Sequence, residues 1–380
     1  DVLNTAEARV RADGRPNSFL HISKPEIDLP EGTDPYDPAV YSKGAENLQR
    51  LIEDGVLMRE EKPCYYIYRL RWEEHVQTGL VFGSSVAAYD INRVRKHEFT
   101  RPVKEDDRVR QITALNAQTG PVLLTYRADD AVKAIIDEAA AGAPAYDLTA
   151  DDGIGHTLWV LDDDAKIEQL NQIFDATDAL YIADGHHRSA SASRVAKENS
   201  NESAQYFLSV AFAHDEMKIL DYNRVVRDLN GLSADELLAN TAAAFDLEMS
   251  AEAVRPAKPT QFGMYVNGQW YRLDVHSERV PADDPVASLD VSLLHSNLIE
   301  PLLGISDPRR DDRIDFVGGM RGLGELEKRV DSGEMEVAFS LYPTTMEALM
   351  DVADANEVMP PKSTWFEPKL ADGLVSHVLD

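Results

Sequence analysis

One cysteine, Cys64, occurs in 380 residues. The chain can therefore form neither an intramolecular disulfide nor a thiolate metal cluster, and a reducing, cytoplasmic interior is expected. No apolar run comes near the roughly 20 residues that a membrane helix needs, and no basic segment followed by an apolar one stands at the start. Positive charge is scarce: 38 Lys and Arg face 67 Asp and Glu, a net charge of −29. Such a surface repels phosphate backbones and anionic lipid, so neither nucleic acid nor membrane is expected as a partner. The glycine patterns of common nucleotide folds are missing too. There is no G-x-x-x-x-G-K-[ST] loop, and "GIGHTL" (153–158) lacks the third glycine of a dinucleotide fingerprint. Neither an H-E-x-x-H zinc helix nor a G-x-S-x-G serine elbow is present. The first residue is Asp1 rather than Met, and a natural N-terminal segment is expected before it.

What remains is a globular composition, 43% hydrophobic, in a chain long enough for two domains. Extended and helical patterns alternate, the signature of an α/β or α+β fold. "CYYIYRLRW" (64–72) and "TGLVFGSSVAAYD" (78–90) read as paired strands, "PVLLTYR" (121–127) as another, and "DAVKAIIDEAAAG" (130–142) as a helix. "HTLWVLDD", "AKIEQLNQIFDAT" and "ALYIAD" (179–184) repeat the order. Ser233 and Glu236 form a capping box for a helix over 233–245, and Asn267-Gly268 marks a hairpin tip. "RIDFVGG", "ELEKRVDSG", "EVAFSLYP" and "TMEALMDVADAN" suggest a compact βαβα unit. A boundary near 230 divides the chain into 1–230, with a "KHE" and a "DGHHR" string, and 231–380, with "DFVGG" and "PPKSTWFEPK".

Three stretches carry chemistry. In "YIADGHHRSASASRV" (181–195) an apolar strand ends at Ala183 and a helix opens near Ser189. Free N–H groups and the positive end of a helix dipole would stand beside His186, His187 and Arg188, a place that attracts an anion. Asp184 at the strand's end is suited to hold magnesium or accept a proton. The second stretch, "RVRKHEFTRPVKEDDRVR" (93–110), carries seven basic residues against four acids in an otherwise acidic chain. Pro102 can begin a helix there that presents Lys104, Arg108 and Gln111 on one face, while Glu105 and Arg108 are spaced to pair. Glu98 lies between basic side chains and suits a base or metal ligand among phosphate binders. In the third, "VMPPKSTWFEPKL" (358–370), Lys362, Ser363 and Thr364 offer a charge and two hydroxyls to a second phosphate or substrate contact.

"KHEFTRPVKEDDR", "YIADGHHRSASAS", "ILDYNRVVRDLNG", "DPVASLDVSLLHSNLIEPLLGI", "RIDFVGGMRGLGELEKRVDSGE" and "MPPKSTWFEPKL" resemble a bacterial and archaeal family long catalogued as a domain of unknown function. Some of its members have been assigned as serine kinases, including ones that use inorganic pyrophosphate. The resemblance covers about residues 1–380. Its Asp-Gly-His-His-Arg string is also similar to the phosphate-binding motif of ParB and sulfiredoxin-like proteins, which implies such a core around residues 184–188 with an additional α/β domain. The family normally begins with a segment ending in Pro-Pro-Tyr-Asp-Val, whereas this sequence opens at "DVL".

The resemblance implies a phosphotransferase that moves a phosphoryl group from pyrophosphate to the hydroxyl of free L-serine with Mg2+. Asp184, and Glu98 with it, would hold the ion. Glu98, His186 or Asp184 would take the hydroxyl proton, with Glu98 ranked first because a carboxylate among cations can stay ionised. Lys96, His97, Arg101, Lys104, Arg108, His187 and Arg188 would cradle the donor. Other readings are an ATP- or ADP-dependent kinase, a phosphoserine phosphatase of the same fold, or a ParB-like nucleotide switch. The switch would call for a basic arm that the charge of −29 does not provide.

Overall fold

A computed structural model describes residues 3–380, so Asp1 and Val2 of the opening "DVL" lie outside the described residues. In the first part of the chain three helices precede any strand: α1 (Thr5–Ala12), α2 (Leu20–Ser23) and α3 (Pro38–Glu53). Asn4 and Glu7 cap α1 reciprocally, and Asp37 followed by Pro38 starts α3. Strands β1 (Tyr65–Trp72) and β2 (His75–Ser85) form an antiparallel hairpin. The expected strand over 78–90 stops at Ser85, whose side chain accepts from the Ala88 N–H and opens a short helix, α4 (Val86–Asp90).

Then follow β3 (Val94–Arg95), α5 (Pro102–Leu115), β4 (Ala117–Gln118), β5 (Val122–Tyr126), α6 (Asp130–Ala140) and β6 (Tyr146–Thr149). After these come β7 (Gly155–Leu161), α7 (Asp164–Ala176), β8 (Leu180–Asp184), α8 (His186–Glu198) and β9 (Tyr206–Ala213). Eight strands join in the order β3-β8-β5-β9-β2-β1-β7-β6. Ile67, Leu80, Leu124, Ile182 and Phe207 of this sheet pack with Val132 of α6 and Leu170 of α7. Burying each such side chain contributes roughly 1.5–3 kcal/mol.

One pairing positions the site. β3 runs parallel to β8, with Val94 opposite Leu180 and Arg95 opposite Tyr181. Parallel neighbours release their chains at the same end, so Lys96-His97-Glu98 and Asp184-Gly185 emerge side by side. The carboxyl ends of parallel strands are where open α/β sheets take ligands.

Two units result, Asp1–Glu216 with Pro368–Asp380, and Met217–Glu367. The expected halves 1–230 and 231–380 are thus replaced by a nested arrangement in which the last residues rejoin the first unit. The second unit contains β10 (Lys218–Leu220), β11 (Tyr222–Val226), α9 (Ala234–Thr241), β12 (Phe245–Ser250), β13 (Gln261–Val266) and β14 (Gln269–Val275). Its later elements are α10 (Asp290–Leu294), α11 (Glu300–Leu303), β15 (Ile314–Gly318), α12 (Leu323–Asp331), β16 (Val337–Leu341), α13 (Met346–Asp354) and β17 (Trp365–Glu367). The Ser233–Glu236 capping box and the hairpin tip at Asn267-Gly268, both with positive φ, are present.

The six-stranded sheet of this unit has the order β12-β14-β13-β16-β11-β15. β11 lies between β15 and β16 and pairs antiparallel with both. The expected βαβα elements therefore exist, but an earlier strand splits them. β10 and β17 pair with each other, Lys218 opposite Glu367. The last strand, β18 (His377–Val378), pairs with β4 inside the first unit.

Candidate functional site

Gly185 links β8 to α8 with φ 103 and ψ 25, a left-handed conformation that favours glycine. A Cβ there would also lie 3.0 Å from Arg188 Nε and 3.3 Å from Val122 Cα. The helix therefore begins at His186, three residues before the expected Ser189, and its first turn consists of His186, His187 and Arg188. No side chain caps it. Ser191 donates to the Glu105 carbonyl (3.1 Å) and Ser193 to Asp90 (2.6 Å), so the small-residue stretch brings α8 close to α5 and α4.

α5 starts beside this turn, with Pro102 at its first position as expected. The backbone N–H of Arg101 donates to His187 Nε2 at 3.0 Å. Two helix N-termini thus meet at one imidazole, and their dipoles add to the charges of Arg101, Lys104, Arg108 and Arg188. The predicted Glu105–Arg108 pair does not form. Glu105 instead accepts from Thr100 and faces Arg194 at 3.4 Å.

Two of the histidines form a buried pair. His97 is 2% exposed and His186 4%, and their rings meet edge to face with centroids 4.5 Å apart. The His97 backbone N–H points at His186 Nε2, 3.4 Å away, which places the proton of neutral His186 on Nδ1. That nitrogen faces Glu98 Oε2 at 3.8 Å. Burial pushes His97 down to about 4 and His186 well below its ordinary value, where competition with His97 and His187 for a proton and the charges of Lys96 and Arg188 add to the effect. His187 is lowered by burial and then by Arg101. All three are neutral at pH 7. His97, expected among the donor's ligands, is enclosed and packs on His186, with its Nδ1 lacking any protein partner.

Asp184 is half-exposed, with Arg188 Nη2 3.6 Å and Lys369 Nζ 3.9 Å from one carboxylate oxygen. Burial works to raise its pKa, but Arg188, Lys369 and the Gly185 N–H outweigh that and hold the carboxyl below its ordinary value. Glu98 is 58% exposed. Among the described residues no group of three or more His, Cys, Asp and Glu is placed to hold a metal ion. Magnesium needs no such cage, because it keeps waters and substrate phosphates and takes one or two carboxylates. The ionised, half-exposed Asp184 suits that role.

The other expected residues divide. Lys104 and Arg108 line a cleft of about 190 Å³ with Tyr36, Tyr41 and Asp107. Arg108 and Gln111 also border a smaller one with Thr119, Gly120, Arg188 and Asp372. Lys96 lies over the Tyr89 ring, 4.3 Å from its centroid. Lys362, Ser363 and Thr364 belong to the second unit. The Lys362 carbonyl accepts from Arg224 (3.0 Å), and buried Ser363 spends its hydroxyl on the Pro360 carbonyl (2.6 Å) while Thr344 donates to its own carbonyl. Lys369 and Asp372 were missed, although Lys369 stands in the same "WFEPKL" string; nothing in the local sequence marks where the chain crosses back into the first unit.

Fold and site define an α/β protein in which a parallel strand pair and two helix N-termini gather basic side chains, neutral histidines and the carboxylates of Asp184 and Glu98. The chain belongs to the family described as a protein of unknown function, DUF1015, whose model matches residues 1–292. No curated protein matches it. Among solved structures it is similar to a free serine kinase in complex with AMP, at 12% identity and TM-score 0.36, covering 78% of this chain and 90% of that one. A conserved hypothetical protein from Pyrococcus furiosus gives 14% identity and 0.36, covering 79% and 94%. C-terminally truncated SbnI from Staphylococcus aureus gives 12% and 0.41, covering 77% and 85%. No helix among the described residues is long and apolar enough to cross a membrane.

Proposed function

We propose that the protein is a serine kinase that transfers a phosphoryl group from pyrophosphate to free L-serine, giving O-phosphoserine and phosphate. The observation that carries this reading is the meeting of two helix N-termini at His187, where Arg101, Lys104 and Arg108 add their charge, with Arg188 beside Asp184 and His186 facing Glu98. Phosphoryl transfer asks a protein mainly to position the reactants and to neutralise the donor's oxygens. Arg188, His187 and Arg101, with the open N–H groups of α8, bind the donor. Glu98 takes the proton from the serine hydroxyl as the hydroxyl oxygen bonds to phosphorus. The bond from that phosphorus to the bridging oxygen breaks, and phosphate leaves with the electron pair. His186 has one nitrogen aimed at a backbone N–H and the other at Glu98, so it orients the base rather than acting as one. Asp184, with Glu98, would hold Mg2+, which when bound supplies positive charge to the phosphate oxygens.

A nucleotide donor is the second reading. One observation favours it: the cleft walled by Tyr36 and Tyr41 shares Arg108 and Gln111 with the pocket at Arg188, so aromatic rings on which a base could stack stand next to the basic side chains.

The protein is incubated with L-serine, magnesium and, in turn, pyrophosphate, ATP, ADP and polyphosphate, and phosphorus NMR follows the phosphomonoester signal. Pyrophosphate alone should produce it, and EDTA should stop it. If only ATP or ADP did so, the donor would be a nucleotide. If no donor gave phosphoserine, the kinase reading would be wrong.

A further inference from the structure

The string "PPKSTWFEPKL" spans the return of the chain into the first unit, and its last lysine belongs to that unit. We infer that Lys369 is a direct ligand of the phosphoryl donor, delivered to Asp184 by a docked C-terminal arm, Pro368–Asp380. The inference rests on the phosphoryl-transfer reading and adds a residue that the reading did not contain.

The charges at Asp184 are arranged loosely. Lys369 Nζ and Arg188 Nη2 stand 3.9 and 3.6 Å from the same carboxylate oxygen, longer than hydrogen bonds. Their side chains are 37% and 27% exposed, so both cations are open to solvent on one side. An ammonium carries three donors and can keep one toward Asp184 while giving others to phosphate oxygens. A donor at the first turn of α8 would bring several negative charges against the Asp184 carboxylate. Arg188 relieves that repulsion from one direction and Lys369 supplies a second cation.

The arm that carries Lys369 is held at several other points. The Ala371 N–H donates to the Tyr68 hydroxyl at 3.3 Å, and Tyr68, 2% exposed, is itself bonded to His156 at 2.7 Å. His377 and Val378 pair with β4, and the Leu379 N–H donates to the Asn116 carbonyl at 2.9 Å. Arg59 grips the Asp380 carboxylate with two bonds of 2.8 Å. On the same arm, Asp372 stands close to Arg188: a Cβ on Gly120 would lie 3.3 Å from Asp372 Oδ1 and 3.4 Å from Arg188 Nη1.

Calorimetric titration of the full chain with pyrophosphate, ATP, ADP and L-serine, using Lys369→Ala, Lys369→Arg and each in an Asp184→Asn background, tests this. Lys369→Ala should weaken pyrophosphate binding about tenfold or more, the usual effect of losing a charged hydrogen bond. Serine affinity and Tm should stay unchanged, Lys369→Arg should restore most of the loss, and the loss should persist in the Asp184→Asn background. An unaltered pyrophosphate Kd, or a loss that vanishes once Asp184 is neutral, would overturn the inference, since Lys369 would then act only through its carboxylate partner. If the wild-type chain bound none of the three phosphates, the inference and the kinase reading would fall together. If it bound pyrophosphate through Lys369 but formed no phosphoserine, transfer alone would fall.

Discussion

Neutral histidines are kept neutral here by enclosure, and that has a price in acid. His97 has its pKa lowered to about 4, His186 lies well below its ordinary value, and His187 shifts the same way. A histidine in the unfolded chain takes a proton near pH 6.5. The unfolded state therefore binds protons first as pH falls, so the stability these groups confer is complete above about 6.5 and is lost toward 4. For His97 alone the difference is roughly 3 kcal/mol. His156 and His377 are also lowered by burial, so the whole-protein curve mixes several groups. Urea unfolding of wild type and His97→Gln at pH 7 and pH 4.5 separates them. The variant should lose distinctly less stability between the two pH values, and parallel losses would show that His97 does not titrate in this way. Asp184 contributes in the opposite sense of charge: held below its ordinary value, its stabilisation is present above pH 3.8 and disappears only below it.

At the scale of elements, His187 ties the start of α5 to the start of α8. Its Nε2 accepts the Arg101 N–H that would otherwise lack a partner at the helix end. Replacing it by alanine should cost about 1 kcal/mol, as the loss of a helix cap does, and should speed amide exchange at Arg101 above all. Exchange at that position equal to wild type would remove the capping role. Most elements were legible in advance, because their apolar periods are long and their caps explicit, as at Ser233–Glu236 and Asn267-Gly268. Those that were not depend on partners far away in sequence. β3 is two residues long and is a strand only because β8 lies beside it. "VAAYD" continues an extended pattern but turns helical on one serine cap. The split of β15 and β16 by β11 is a matter of topology, which no local period encodes. The candidate site followed the same division: the "KHE" and "DGHHR" strings are visible in the sequence and the fold brings them side by side, whereas the burial of His97, the left-handed Gly185 and the approach of Lys369 to Asp184 follow from packing and chain return.

Across the molecule, the second unit is a continuous piece set into a discontinuous one. Met217–Glu367 has its own six-stranded sheet, with Val225, Trp270, Val317, Leu326 and Ala338 in a core of their own, and its two ends are paired through Lys218 and Glu367. A fragment of residues 217–367 should therefore fold alone, with a single cooperative thermal transition and dispersed amide signals. A fragment that stays unfolded or unfolds without cooperativity would show that its core needs the rest of the chain.

The nesting also sets an order in time. Ala371 bonds to a residue 303 positions earlier and Asp380 to one 321 positions earlier. Closing loops of that length makes such contacts late in folding as well as in synthesis. Lys369 is made long after Asp184 and Arg188, so a growing polypeptide can carry a finished α8 turn with both in place and still lack the second cation beside them. A chain cut before residue 369 therefore presents Asp184 and Arg188 without the lysine that stands beside them in the whole fold, so the electrostatics of this turn are settled only after a strand and a helix made far earlier have found their places.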